Sequence, residues 1–175
     1  MNWSLIFRYD ASSGSLQWIP VSREHFTTNA SHARHMSTRC GHIAGSKERR
    51  PETGKPKCVR VRWGKSKFLV HRIIWEMING PIPDGMEIDH IDLDPWNNRI
   101  ENLRLATHME NMANQGIRNN KTGLKGVRKT LSGRFQAMTG VMGKKKAIGT
   151  YDTPEEAHAA YVHESRRVAG QFVRP

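Results

Sequence analysis

Residues 87–111, EIDHIDLDPWNNRIENLRLATHMEN, leave no room for a long regular element. Asp89 and His90 stand at one end. Pro95 then interrupts any helix or central strand, with Asp92, Asp94, Asn97 and Asn98 crowded around it as turn formers. The run closes on Thr107 with Glu110 three residues later, the reciprocal pair of a capped helix N-terminus. A short strand, a turn-rich loop and a capped helix fit this pattern.

Two readings of the stretch compete: a divalent-metal site for phosphodiester chemistry, or a solvated turn with helix caps. Phosphodiester hydrolysis needs a base for the attacking water and a cation to stabilise charge on the phosphate. A hard cation such as Mg²⁺ takes oxygen ligands and keeps several waters, so one carboxylate and one amide oxygen suffice. Adjacent residues of a strand point to opposite faces, so Asp89 and His90 can serve different tasks. Asn111, on the capped helix, can offer its amide oxygen to the metal, and Asn102 can orient the His90 ring. A calcium loop begun at Asp92 fails, because it puts Asn97 where glycine is required and Leu103 where the bidentate glutamate belongs. Asp92, Asp94, Asn97 and Asn98 read as plain turn residues. For the other four, residue chemistry alone leaves both readings open.

The surrounding charge is informative. The 175 residues carry a net charge of +12 and a pI near 10.2, which calls for a polyanionic partner. Residues 1–60 hold 10 Lys/Arg against 4 Asp/Glu and residues 116–175 hold 12 against 4, whereas residues 61–115 hold 6 against 8. Basic flanks that grip phosphates around a carboxylate-bearing centre suit metal-dependent nucleic-acid chemistry. No basic amphipathic helix argues for a membrane surface, and no apolar run reaches the ~20 residues of a membrane helix. The N-terminal MNWSLIFRYD makes a poor signal peptide, so the expected location is the cytoplasm, that of a host cell if the gene is phage-borne. Cys40, His42 and Cys58 match no common zinc spacing and read as two reduced thiols beside a histidine.

LIFRYDASSGSLQWIPV predicts a β-hairpin, and residues 22–56 predict loop with short pieces of structure. KCVRVRW alternates Val59, Val61 and Trp63 with Arg60 and Arg62, a half-solvated strand that turns at GKS into KFLV. HRIIWEMING places Ile74, Trp75 and Ile78 at helical spacing and stops at Gly80-Pro81. QGIRNNKTG reads as a linker. Beyond it, KGVRKT, RFQAMTGV and KKAIGTY predict three strands. Thr153-Pro154-Glu155-Glu156 then opens a helix with Ala157, Ala160, Tyr161 and Val168 on one face and Gly170 at its end.

Residues 70–115, VHRIIWEMINGPIPDGMEIDHIDLDPWNNRIENLRLATHMENMANQ, resemble the HNH endonuclease family, especially its phage and intron-encoded homing branch. The HR-x-x-W helix, IDH, NNRIENLR and AT-x-x-EN fall in that branch's order, and FRYDASSGSLQW and IAGS look like its N-terminal hairpin and loop. The resemblance implies a ββα-metal motif with His90 as general base, Asn102 orienting it, and Asp89 and Asn111 as metal ligands. Asn111 stands where many members have histidine. An amide oxygen is harder than imidazole, which favours Mg²⁺ or Mn²⁺. Arg99 and Arg104, flanking Asn102, are candidate phosphate contacts, although Arg104 can equally pair with Glu101. His71 reads as structural, and His108 as a helix-surface residue.

Residues 126–170 resemble the plant ethylene-response-factor (Apetala-type) DNA-binding domain through GVR, the aromatic-x-Ala strand, IGTYDTPEEA, AY and Gly170. The resemblance implies a sheet lying in the major groove. Alternation sets Phe135, Ala137 and Thr139 toward the helix and Arg134, Gln136 and Met138 away from it. Lys125, Arg128, Lys129, Arg134, Gln136, Lys144 and Lys145 are the expected DNA contacts: Arg and Gln can fork onto bases, while lysines hold phosphates.

The expected protein is thus an α+β chain. A ββα-metal nuclease module with an N-terminal antiparallel β region spans 1–115, with its core motif at 70–115. A linker covers 116–122, and a three-stranded antiparallel sheet plus one helix covers 123–175. It would cut double-stranded DNA as a monomer, site-specifically, with no small-molecule substrate, as a homing enzyme of a mobile element. The rival expectation is a non-cleaving DNA-binding regulator with a decayed HNH module.

Overall fold

The computed structural model describes residues 1–115, 121–141 and 144–170, without the side chains of 141, 144, 145, 168 and 169. The chain divides into two compact units, Met1–Leu105 and Ala106–Pro175. It is a mixed α+β chain with several small antiparallel sheets. Among the described residues, no helix is long and apolar enough to cross a membrane.

The first unit opens on β1 (Phe7–Asp10) and β2 (Ser15–Trp18), paired from Phe7↔Trp18 to Asp10↔Ser15. Gly14 closes the turn with φ +68°. Helix α1 (Asn29–Thr38) follows, where the sequence predicts loop. Its capping box is Thr28 with Ser31, and its one buried residue, His35, packs edge-on against Trp18 and Trp63. Burial lowers the His35 pKa, the main cause, helped by the nearby Arg39 charge. Strand β3 (Ile43–Ala44) joins β2 to complete a three-stranded sheet.

Strands β4 (Ser46–Arg49), β5 (Pro56–Trp63) and β6 (Ser66–Leu69) form a second antiparallel sheet with β5 in the middle. Helix α2 (Val70–Asn79) starts directly from β6 and ends at Gly80 with φ +84°. Its buried residues are Val70, Ile73 and Ile74, while Ile78, expected on the apolar face, is exposed. These side chains join Trp3, Phe7, Leu16, Trp18 and Val61 in one core that also takes Ile88 and Leu103. Strand β7 (Met86–His90) pairs with β8 (Leu103–Thr107). The two strands that carry the acidic stretch are therefore anchored by Ile88 and Leu103 to a core built largely from upstream residues.

In the second unit, α3 (His108–Asn114) is capped by Thr107 and Glu110 as their spacing predicts. Strands β9 (Val127–Lys129), β10 (Phe135–Val141) and β11 (Lys144–Tyr151) form an antiparallel sheet with β10 central. Helix α4 (Pro154–Ala169) has the Thr153/Glu156 capping box and ends at Gly170. Val127, Ala137, Ala157 and Tyr161 make this unit's core. Gly126 is obligatory there: a Cβ would sit 2.1 Å from the Tyr161 ring. Part of the expected linker, 116–120, lies outside the described residues.

Candidate active site

Asp89 and His90 end β7 and are both buried, although they follow one another in a strand. His90 Nε2 lies 3.0 Å from Asn98 Oδ1. Asn98 is 2% exposed, and its Nδ2 faces the Trp96 carbonyl at 3.5 Å, which sets the amide with its oxygen toward the imidazole. An amide oxygen only accepts, so the ring presents Nε2–H to Asn98 and its basic lone pair, when neutral, lies on Nδ1.

This corrects two expectations. Asn98, read as a turn residue, is the partner of His90. Asn102, expected to orient His90, is committed to the loop. Its Nδ2 donates to Asp92 Oδ1 at 2.9 Å and to the Asn97 carbonyl at 2.8 Å, and its Oδ1 accepts from the Asp92 amide at 3.1 Å. Asp92 also accepts from the Asp94 amide and from Asn97 Nδ2. Burial alone would raise its pKa, but these hydrogen bonds outweigh it and hold the carboxyl below its usual value. The same bonds keep Leu93 at φ +69°, a left-handed conformation that branched side chains rarely adopt.

The loop is braced from outside by the N-terminal hairpin. The Ile100 amide donates to Tyr9 Oη at 2.9 Å, and a Cβ on Gly14 would lie 2.6 Å from the Arg99 nitrogen and 2.8 Å from the Asn98 carbonyl carbon. Gly14→Ala combines that clash with an unfavourable positive φ. It should cost roughly 2–4 kcal/mol of stability and weaken any activity that depends on Asn98. Thermal unfolding checks this, and a wild-type melting curve would mean that the hairpin does not seat the loop.

Asp89 Oδ2 receives both Nε and Nη2 of Arg104, each at 2.9 Å. Arg104 is thus paired with Asp89 across the strand pair rather than with Glu101. Arg99 is exposed. As a donor, Asp89 offers a carboxylate oxygen, a ligand type that fits a hard divalent cation rather than a soft one, and among the described residues no cluster of three His, Cys, Asp or Glu side chains gathers around it. Asn111 and His108 lie on α3, in the other unit.

His71, at the start of α2, stands edge-on to His90 with ring centroids 5.0 Å apart. Its Nδ1 is buried with no hydrogen-bond partner among the described residues. Burial first, and then the neighbouring His90 and Arg72 charges, lower its pKa to about 3. The unfolded chain takes up this proton below its ordinary value near 6.5, whereas the folded chain resists until about pH 3. Stability should therefore be complete above pH 6.5 and fall as pH drops toward 3, by roughly 2–3 kcal/mol at pH 4.5 from this group. Denaturation midpoints at pH 7 and 4.5 test it: His71→Phe should flatten the difference, and an unchanged difference would remove His71 as its source.

Several of the expected DNA contacts of the second unit have partners within the protein. Arg128 and Gln136 face each other across β9 and β10, with Arg128 Nε donating to Gln136 Oε1 at 2.9 Å. Arg134 pairs with Asp152 at 2.8 Å. Lys129 lies over the Phe135 ring, 5.8 Å from its centroid, on the face shared with Ala137. Lys125, expected on the first strand, precedes β9 and donates through Nζ to the Ala113 carbonyl. Lys144 and Lys145 open β11, and their side chains lie outside the described ones.

A family model described as HNH endonuclease matches residues 68–113. An uncharacterized HNH endonuclease of Acanthamoeba polyphaga mimivirus is 34% identical over 116 residues, 66% of this chain and 60% of the relative. Protein 3.8 of Escherichia phage T7 is 38% identical over 109 residues, 59% of this chain and 87% of that protein. A protein of the SPbeta prophage of Bacillus subtilis, provisionally named an HNH homing endonuclease, is 40% identical over 48 residues, 27% of this chain and 28% of its own. The chain thus spans less than two thirds of the mimivirus relative but most of the T7 protein. No solved structure gives a significant match.

Proposed function

We propose that the chain, whose residues 68–113 match the HNH endonuclease family model, hydrolyses phosphodiester bonds of double-stranded DNA with His90 as general base. The observation that carries this reading is the buried His90–Asn98 pair, with the buried Asp89 one residue earlier in β7. Asn98 holds Nε2–H and so directs the basic lone pair to Nδ1, the atom that would take the proton from the attacking water. Asn102 supports this at one remove by fixing the Asp92–Asn97 turn that leads to Asn98.

Asp89 is the proposed metal ligand from β7, and Asn111 is kept as a second ligand on the family resemblance of the sequence alone. A bound Mg²⁺ or Mn²⁺ would supply charge neutralisation at the scissile phosphate. Arg104 keeps the buried Asp89 carboxylate paired and in place. DNA gripping is assigned to the basic second unit, on its likeness to Apetala-type domains and on the shared sheet face of Arg128 and Gln136. A homing role for a mobile element is supported by the name of the prophage relative.

Incubation of the purified protein with covalently closed plasmid tests the proposal. Nicked or linear product should form with Mg²⁺ and none with EDTA. A plasmid that stays closed with Mg²⁺ and with Mn²⁺ would leave DNA binding without cleavage.

A further inference from the structure

A second cationic feature lies beside this loop, on strand β4. Trp96, two residues before Asn98, is pinned by its indole Nε1 to the Glu48 carbonyl at 3.3 Å and by its backbone amide to Asp94 Oδ1 at 3.0 Å. Over its ring stand Lys47, with Nζ 4.9 Å from the centroid, and Arg49, with Cζ at 4.5 Å. Both cations are exposed. Strand alternation sends Glu48 elsewhere, to Arg60 at 3.2 Å and the Cys58 thiol. Among the described residues neither Lys47 nor Arg49 has an ion-pair partner.

Two like charges over one indole repel each other. The ring attracts each cation only modestly at an exposed site, and among the described residues no carboxylate lies within ion-pairing distance of either, so an anion between or above them would be stabilised. Their place in the chain gives that anion an identity. Trp96 is joined through its carbonyl to Asn98, and Asn98 to His90, so the two cations are held in fixed relation to the proposed base.

We infer that Lys47 and Arg49, held on Trp96, bind backbone phosphates of duplex DNA flanking the bond to be cut. The inference rests on the reading of His90 as the nuclease base, and it names the strand contact of that site. A lysine point charge and an exposed guanidinium suit phosphate positioning and carry no base readout of their own.

The test measures duplex binding by fluorescence anisotropy across a salt series in EDTA, with the full chain, so that cleavage plays no part. Each phosphate contact contributes about 0.9 to the slope of log affinity against log salt. Lys47→Ala/Arg49→Ala should lower that slope by about 2 and weaken binding equally on unrelated sequences. Lys65→Ala/Lys67→Ala removes the same charge from another exposed part of the sheet and should lower it by clearly less. Trp96→Leu, which leaves both cations but removes their platform, should fall between the two. Equal slopes for the two double variants would overturn the inference, because net charge alone would then account for the loss. Wild-type protein that leaves the duplex uncut when Mg²⁺ is added, with the slopes as predicted, would overturn only the His90 reading. Wild-type protein that cuts with Mg²⁺, with the slope unchanged in Lys47→Ala/Arg49→Ala, would overturn only the assignment of Lys47 and Arg49.

Discussion

His90→Ala is expected to lower the rate of DNA cleavage by roughly 10²–10⁴, the range for a lost general base. Part of the rate should return at high pH, where hydroxide replaces the activated water. The geometry adds a second arm. Asn98→Ala leaves the imidazole in place but removes the acceptor at Nε2, and with it that hold on the tautomer and orientation of the ring. The rate should then fall less than in His90→Ala, with a changed pH profile. Asn102→Ala should act through stability first, because its amide holds the Asp92–Asn97 turn. Single-turnover rates on a duplex decide between these outcomes. A His90→Ala protein that loses less than a few-fold at neutral pH would move the base elsewhere, with His108 the next candidate.

Asp89→Ala should abolish Mg²⁺-dependent cleavage while duplex binding in EDTA persists. The same change leaves the half-buried Arg104 guanidinium without its carboxylate, at a cost of about 3 kcal/mol or more. Loss of activity alone would therefore not separate chemistry from folding. Asp89→Asn does separate them. It keeps the volume and an acceptor for Arg104 but removes the anionic ligand, so it should melt close to wild type and still fail to cut. An Asp89→Asn protein that cleaves at the wild-type rate with Mg²⁺ would remove Asp89 from the metal site.

Local chemistry made several elements legible. The hairpin around Gly14, the stop of α2 at Gly80, and the capping boxes at Thr107 and Thr153 each depend on residues a few positions apart. Helix α1 escaped because Ser31 plays the part that glutamate usually plays in the box, and because its stretch buries only His35. Ile78 was misplaced because spacing names a face without saying how wide the covered stripe is.

Of the candidate site, the residue types were legible in the sequence and the contacts less so. Asp89 and His90 stood out as a pair, and both are buried. Asn98 did not, since two asparagines after a proline are what any turn contains. Only the folded loop, clamped by Tyr9 and Gly14 from the far N-terminus, turns one of them inward. Arg104 meets Asp89 because of how β7 and β8 pair, which is set across a loop of a dozen residues rather than by a local motif. His71 offered no signal in sequence: its neighbour His90 is nineteen positions away and meets it only through the packing of α2.

The central claim is that water, activated at His90, attacks the phosphodiester bond. Single-turnover cleavage of a duplex in water enriched in oxygen-18, followed by mass spectrometry of the products, tests it most directly. Hydrolysis predicts one solvent oxygen in the terminal phosphate of each newly cut strand. A terminal phosphate free of label would contradict the claim, because the attacking oxygen would then have come from the protein or from the DNA itself.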